Sequence, residues 1–113
     1  MLINGYDFHF AYTVGAFCDI ADLHLEPAKT FPEQCKVITQ MAVVMSKAYE
    51  DKKTLDDNSY TPRYLTLKEV RALSVNEVAD LLTPEVDQAV ADGKYRTVEA
   101  EPVKNQKGTG KVK

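Results

Sequence analysis

Aromatic residues near the start of the chain alternate with other residues and so fall on one side of an extended backbone. The dipeptide Asn4-Gly5 favours a type I′ hairpin turn, because both central residues of that turn need positive φ angles. The pattern predicts a β-hairpin over residues 1–12. Its first strand is short and must pack against other elements, since an isolated hairpin is only marginally stable. The shared aromatic face consists of Tyr6, Phe8, Phe10 and Tyr12.

A spacing of three and four residues between apolar positions then predicts a first helix over about residues 14–25. Thr13 can cap its start, and Pro27 is expected to end it because the residue before a proline is disfavoured in helical conformation. The opposite side carries the acidic residues. The face expected to be buried consists of Val14, Phe17, Cys18, Ala21 and Leu25.

A second and longer helix is predicted over about residues 32–53, with Pro32 in its first turn and Glu33 near its positive end. Its apolar residues cover a wider stripe than a one-sided surface helix requires. The stripe contains Cys35, Val37, Ile38, Met41, Ala42, Val44, Met45, Ala48 and Tyr49. The narrow polar strip that remains consists of Lys36, Thr39, Gln40, Ser46, Lys47 and Glu50.

The last part of the chain contains several turn and helix-capping signals. Residues 54–63 predict an exposed polar loop, and short helices are predicted over about residues 67–92. Two capping boxes begin at Thr66 and Ser74, and Thr83-Pro84-Glu85 predicts a third helix start. Gly93 is expected to stop the last helix, and residues 95–99 to form a short final strand.

Together these elements predict an α+β fold that is mostly α, with the N-terminal β-hairpin packed on a helical layer. The length of 113 residues suits one globular domain, which we place at residues 1–101. From residue 102 onward the chain has almost no apolar residues, so a disordered basic tail is expected over residues 102–113.

The net charge of −3 conceals two regions of opposite sign. Removing the four tail lysines from the 14 basic residues leaves 10 basic against 17 acidic residues in residues 1–103, a net charge of −7. An acidic body repels phosphate backbones and anionic lipid, so nucleic-acid binding through the folded part is disfavoured and membrane association is not expected. The tail lysines are the candidate nucleic-acid contacts, or they serve only solubility: Lys104, Lys107, Lys111 and Lys113.

The chain shows neither an export signal nor an apolar run long enough for a bilayer. Its longest unbroken apolar run is Met41–Met45, against the roughly 20 residues that a spanning helix needs. The N-terminus lacks the basic region of a signal peptide. We therefore expect a cytoplasmic protein whose Cys18 and Cys35 are reduced thiols.

No motif specifies catalysis, a cofactor or a metal. Zinc ligands come in close pairs, whereas Cys18 and His24 are six positions apart and Cys35 stands alone. A thiolate is disfavoured on an apolar helix face, where both cysteines are expected. The expectation is a protein without enzymatic activity, catalytic residues, cofactor or metal.

The wide apolar stripe of the second helix admits two interpretations. It is either the central core helix, enclosed on all sides, or part of it lies open in a groove for a partner helix. In the second case the candidate binding residues are Val37, Met41, Val44, Met45 and Tyr49, with Phe8 and Phe10 of the hairpin beside them.

The layout resembles that of phage tail assembly chaperones. The resemblance rests on Leu2-Ile3-Asn4-Gly5-Tyr6-Asp7-Phe8, on Ala16-Phe17-Cys18-Asp19-Ile20 before a longer central helix, on Leu65-Thr66-Leu67-Lys68-Glu69-Val70, and on the lysine-rich end from Pro102 to Lys113. It covers most of the chain in layout, but the loop Thr54–Arg63 and the short helices after it depart from that pattern.

This resemblance implies a non-enzymatic chaperone of phage or prophage tail assembly that binds a long helical tape-measure protein. In such a role the apolar stripe would hold the partner helix and the acidic surface would keep the complex soluble. Two alternatives remain open. One is a small structural or adaptor protein that forms a homo-oligomer, and the other is a nucleic-acid-associated regulator that uses the basic tail.

Overall fold

The computed structural model describes the backbone of residues 1–99 and the side chains of residues 1–94. Within this range the chain is mostly helical and begins with a two-stranded antiparallel hairpin, so the predicted α+β class is confirmed. The predicted disordered tail over residues 102–113 lies outside the described residues.

The hairpin consists of β1 (Leu2–Ile3) and β2 (Tyr6–Asp7). Asn4 and Gly5 have φ angles of +50° and +81°, the left-handed values that the predicted type I′ turn requires. The strands are two residues each, so the hairpin is shorter than the predicted 1–12. The chain continues as an extended segment over residues 8–13, which pairs with no strand among the described residues. The paired positions are Leu2 with Asp7 and Ile3 with Tyr6.

Two helices follow, and their ends differ from the predicted ones. α1 spans Val14–Asp22 and α2 spans Phe31–Asp56. The Thr13 hydroxyl accepts a hydrogen bond from the Ala16 amide at 3.1 Å, as the predicted cap requires. α1 ends before Pro27 because His24 has a φ angle of +51°, a left-handed conformation that cannot continue a helix. α2 continues to Asp56, through the first residues of the predicted loop.

The C-terminal region begins with α3 (Leu67–Arg71). A continuous helical run then follows, made of α4 (Val75–Glu77), a π-helical segment (Val78–Leu82) and α5 (Thr83–Glu99). Both predicted capping boxes are present. The separate helix start at residue 83 is wrong, because Thr83 is itself helical. The wider π turn accommodates Pro84, whose ring would clash with the carbonyl four residues earlier and which has no N–H to donate.

Gly93 lies inside α5 and does not stop it, and α5 continues to Glu99, so the predicted final strand over residues 95–99 is also wrong. A Cβ atom at Gly93 would lie 2.4 Å from the carbonyl oxygen of Tyr12. The glycine therefore lets the extended segment pass against the helix, and its role is close packing. Turn and cap signals in the sequence around Gly93 cannot reveal this contact, because Tyr12 is far away along the chain.

α2 is the central element of the fold. It packs against α1, and elsewhere along its surface against α3, the π-helical segment and α5. One hydrophobic cluster joins these elements to the hairpin, and this confirms that the hairpin packs on a helical layer. Its buried members are Ile3, Phe8, Ala16, Ala42, Met45, Leu65, Val70, Val78, Leu82 and Val86.

Part of the predicted polar strip of α2 faces this interior. Thr39, Ser46 and Glu50 are buried, although the sequence pattern placed them on the solvent side. Because elements pack around most of α2, some of its polar positions are enclosed as well. Thr39 donates to the carbonyl of Lys36, while the hydroxyl of Ser46 has no hydrogen-bond partner among the described residues.

Candidate functional site

The outer face of α1 is an exposed apolar surface built on one regular element. Of the nine residues of α1 only Ala16 is buried, and the partly buried Ile20 also packs on the core cluster. Val14 and Phe17 remain 80% and 58% exposed. Cys18 and Ala21 are exposed beside them. We call Val14, Phe17, Cys18 and Ala21 the α1 face; their spacing of i, i+3, i+4 and i+7 places them on one side of the helix.

The sequence pattern predicted that this same face would be buried, and that prediction is wrong. α1 is apolar on two sides, and a periodic pattern does not say which side meets the rest of the protein. The side with the small Ala16 packs against α2, which leaves the bulkier Val14 and Phe17 outside. Cys18 is therefore an exposed thiol, whereas Cys35 is half-buried.

The binding residues predicted on the hairpin and on α2 are separated by the fold. Phe8 and Met45 are fully buried in the core, where a partner cannot reach them. Phe10 and Tyr49 line a cleft of about 540 Å³ between the extended segment after β2, the end of α2 and α5. Val44 lines a groove beside α1, together with Ala16. The remaining two, Val37 and Met41, are half-buried.

The cleft at Phe10 and Tyr49 carries both signs of charge. The ring of His9 lies 5.1 Å from that of Tyr49, centroid to centroid. The other charged residues of its wall are Lys52, Lys53, Asp56, Glu85 and Asp92. With both signs represented, the wall selects neither an anionic nor a cationic ligand.

The tail lysines proposed as nucleic-acid contacts lie outside the described residues: Lys104, Lys107, Lys111 and Lys113. Within residues 1–94, no three side chains of histidine, cysteine, aspartate or glutamate come together in a group able to hold a metal ion. No helix of the described part of the chain is both long and apolar enough to span a membrane.

A polar network that the sequence did not reveal joins α2 to the loop before α3. Glu50 is 2% exposed, and its Oε1 accepts hydrogen bonds from the Tyr60 hydroxyl and the Arg63 amide, each at 2.8 Å. The hydroxyls of Tyr60 and Tyr6 are 2.9 Å apart. Because Tyr60 gives its only proton to Glu50, Tyr6 must be the donor in that pair. The network thus ties the hairpin to the centre of the fold.

Tyr60 of this network is held in its neutral form. The hydrogen bond with Tyr6, followed by the bond to Glu50, raises the pKa of Tyr60 well above its usual range. A phenol with a raised pKa keeps its proton at neutral pH and does not act as a base there. The geometry supports a structural role for Glu50 and Tyr60.

Arg63 extends the network to the hairpin and α3. Its guanidinium lies 5.1 Å from the ring centroid of Phe8 and 5.9 Å from that of Tyr6, distances at which cation–π attraction operates. It also donates two hydrogen bonds to Glu69, one to each carboxylate oxygen. Glu69 accepts a further bond from Asn4 in the turn, at 2.8 Å. The hydrogen bonds from Arg63, and then that from Asn4, hold the pKa of Glu69 far below its usual range.

The lowered pKa of Glu69 predicts an acid-sensitive fold. Such a carboxylate stabilises the folded state at pH values above about 4.3, the pKa of a glutamate in the unfolded chain. This stabilisation is lost as the pH falls toward the lower pKa that Glu69 has in the folded protein. We expect Glu69→Gln to lose less stability than the wild type between pH 7 and pH 3, measured by urea unfolding. Glu77→Gln is the matched control, since Glu77 occupies the same capping position at Ser74. Equal losses for the wild type and Glu69→Gln would contradict the prediction.

Comparisons with known proteins give this chain no relative: no family model, no curated protein and no solved structure matches it.

Proposed function

We propose that this protein is a non-enzymatic tail assembly chaperone of a phage or prophage, acting in the bacterial cytoplasm, and that it binds a helical, tape-measure-like protein through the α1 face. The observation that carries the proposal is the exposure of Val14 and Phe17 on a helix that packs inward through Ala16. Contiguous apolar surface of this kind marks an interaction site in soluble proteins.

The dimensions of the α1 face suit a helical partner. Nine helical residues extend about 13 Å, and the i, i+3, i+4, i+7 spacing of the face is the one through which amphipathic helices pack together. Transferring a valine or phenylalanine side chain out of water contributes about 1.5–3 kcal/mol. A partner helix that covers Val14 and Phe17 therefore gains binding energy at the centre of the contact.

The proposal moves the binding site from the predicted stripe of α2 to α1. Two residues of the predicted stripe, Val44 and Ala48, line the groove beside α1 together with Ala16. The resemblance in layout supports the tape-measure protein as the first partner to test. The net charge of −7 over residues 1–103 would keep such a complex in solution.

Replacing Val14 with aspartate is expected to prevent the protein from solubilising a co-expressed tape-measure fragment. Val14 is the first residue of α1, which has no acid in its first turn, so an aspartate there stabilises the helix by about 0.3–1 kcal/mol through the helix dipole. Loss of binding therefore cannot be attributed to unfolding. The measurement is the soluble fraction of the fragment, together with its co-purification with the wild type and the variant.

Leu81→Asp provides the matched control. Leu81 is 52% exposed on the π-helical segment, away from α1, so its variant should still bind the fragment. Two results would contradict the proposal: no solubilisation by the wild type, or equal solubilisation by Val14→Asp. If the purified chain instead sediments as a homo-oligomer that Val14→Asp dissociates, the α1 face joins copies of this chain and the adaptor function replaces the chaperone function.

A further inference from the structure

A second apolar groove lies between the first part of α2 and the α3–α4 region, and its volume is about 330 Å³. Its edges are Phe31, 48% exposed, and Val75, 60% exposed. Cys35 and Leu73 are half-buried between them. We call this surface the α2–α3 groove. It is separate from the α1 face, because the two surfaces share no residue.

The charge around the α2–α3 groove is opposite to that of the body. Lys36 on α2 and Arg71 on α3 belong to its wall, which contains no carboxylate of residues 1–94. The groove beside α1, in contrast, is of mixed charge: it includes Asp19 and Asp51 as well as Lys47 and Lys52. Within residues 1–94 neither Lys36 nor Arg71 forms a salt bridge. An apolar floor with two cations outside any salt bridge is thus set into a body of net charge −7, although the Glu33 carboxylate is close enough to Lys36 to interact with its charge.

We propose that the α2–α3 groove binds an acidic amphipathic helix of a partner protein, with its apolar anchors on the groove floor and its carboxylates facing Lys36 and Arg71. The floor follows α2 from Phe31 to Thr39, a rise of about 12 Å. In a partner helix, the apolar residues at i, i+3, i+4 and i+7 extend over about 10.5 Å. The floor is therefore long enough for one such group of apolar side chains. The chain's own lysine-rich tail carries the wrong charge to fill it.

The test uses two synthetic peptides of about 18 residues, long enough for five helical turns. Both have the same leucine face; one carries glutamates along its flanks and the other carries lysines. In fluorescence anisotropy at low salt, the glutamate peptide should bind about tenfold more tightly than the lysine peptide. Lys36 and Arg71 each repel a lysine of the peptide but attract a glutamate at the same place. A Lys36→Glu/Arg71→Glu variant should reverse that preference. Lys52→Glu, an exposed lysine of α2 outside this groove, should leave it unchanged.

The two cysteines show where the peptide binds. Cys35 lies in the α2–α3 groove and Cys18 on the α1 face, so the glutamate peptide should slow alkylation of Cys35 several-fold and leave that of Cys18 unchanged. The proposal is overturned if the peptides bind equally or not at all, or if Cys18 is the protected thiol. It is also overturned if the free chain is a dimer that Lys36→Glu/Arg71→Glu dissociates, since the occupant is then a second copy. Protection of Cys18 would place the peptide on the α1 face instead; the other results do not bear on tape-measure binding there.

Discussion

Replacing Glu50 with leucine is expected to lower the free energy of unfolding by about 2–4 kcal/mol. The leucine removes the acceptor shared by the Tyr60 hydroxyl and the Arg63 amide, both of which bond to Glu50 at 2.8 Å. A donor left without a partner away from water costs about 1–3 kcal/mol. The gain from an apolar side chain of similar size offsets only part of that loss. Urea unfolding at pH 7 gives the measurement.

Glu50→Gln is the matched control, because it keeps a carbonyl oxygen where both donors point. We expect it to cost about 1 kcal/mol, the difference between a charge-assisted and a neutral hydrogen bond. Tyr60→Phe removes one of the two donors, so its effect should not add to that of Glu50→Leu in the double variant. If Glu50→Leu is as stable as Glu50→Gln, the network does not stabilise the fold as described.

Gly93→Ala is expected to destabilise the protein by about 1–3 kcal/mol, although alanine normally favours a helix. The new methyl group would lie 2.4 Å from the carbonyl oxygen of Tyr12 and 2.7 Å from its Cβ. These atoms belong to the backbone and its first side-chain carbon, so a rotamer change cannot relieve the contact. The extended segment after β2 has to move away from α5. Thermal and urea unfolding measure the loss.

The same glycine-to-alanine substitution in α1 should have the opposite effect on the free energy of unfolding. A Cβ atom at Gly15 would meet only the Thr13 hydroxyl, at the ordinary contact distance of 3.7 Å. Gly15→Ala should therefore raise the free energy of unfolding by about 0.5–1 kcal/mol, the usual difference between glycine and alanine inside a helix. A stabilising Gly93→Ala would show that α5 and the extended segment do not approach as closely as described.

The two proposed binding surfaces would give this small chain two partners. The α1 face is apolar, with Cys18 among its residues, whereas the α2–α3 groove combines apolar walls with Lys36 and Arg71. The two surfaces share no residue. Alkylation of Cys18 and Cys35 in a single sample reports both surfaces, so each proposal can fail without the other.

Local signals in the sequence predicted much of the fold correctly. The turn at Asn4-Gly5, the cap at Thr13 and the capping boxes at Thr66 and Ser74 all appear where they were expected. Each depends on a few neighbouring residues whose backbone angles and hydrogen bonds the sequence specifies directly. Short-range chemistry of this kind needs no knowledge of the rest of the chain.

The candidate site was predicted less well, because it depends on which surfaces meet. Met45 belongs to the predicted stripe and is buried, while Phe17 was expected to be buried and is exposed. A helical period identifies the apolar sides of a helix. Where there are two, as in α1, it does not say which one packs against the rest of the protein. A buried glutamate such as Glu50 has no signal of its own, since its partners come from a loop that follows ten residues later.

The sequence by itself therefore determined the hairpin turn, the helix starts at Thr13, Thr66 and Ser74 and the mostly helical class, since these follow from local backbone preferences and from the spacing of apolar residues. The tertiary structure decided that α1 turns its small side inward, that Gly93 serves close packing and that Glu50 lies inside the protein. Each of these depends on contacts between residues far apart in the chain. Such contacts are selected by how the whole set of side chains packs, and a local pattern does not contain that information.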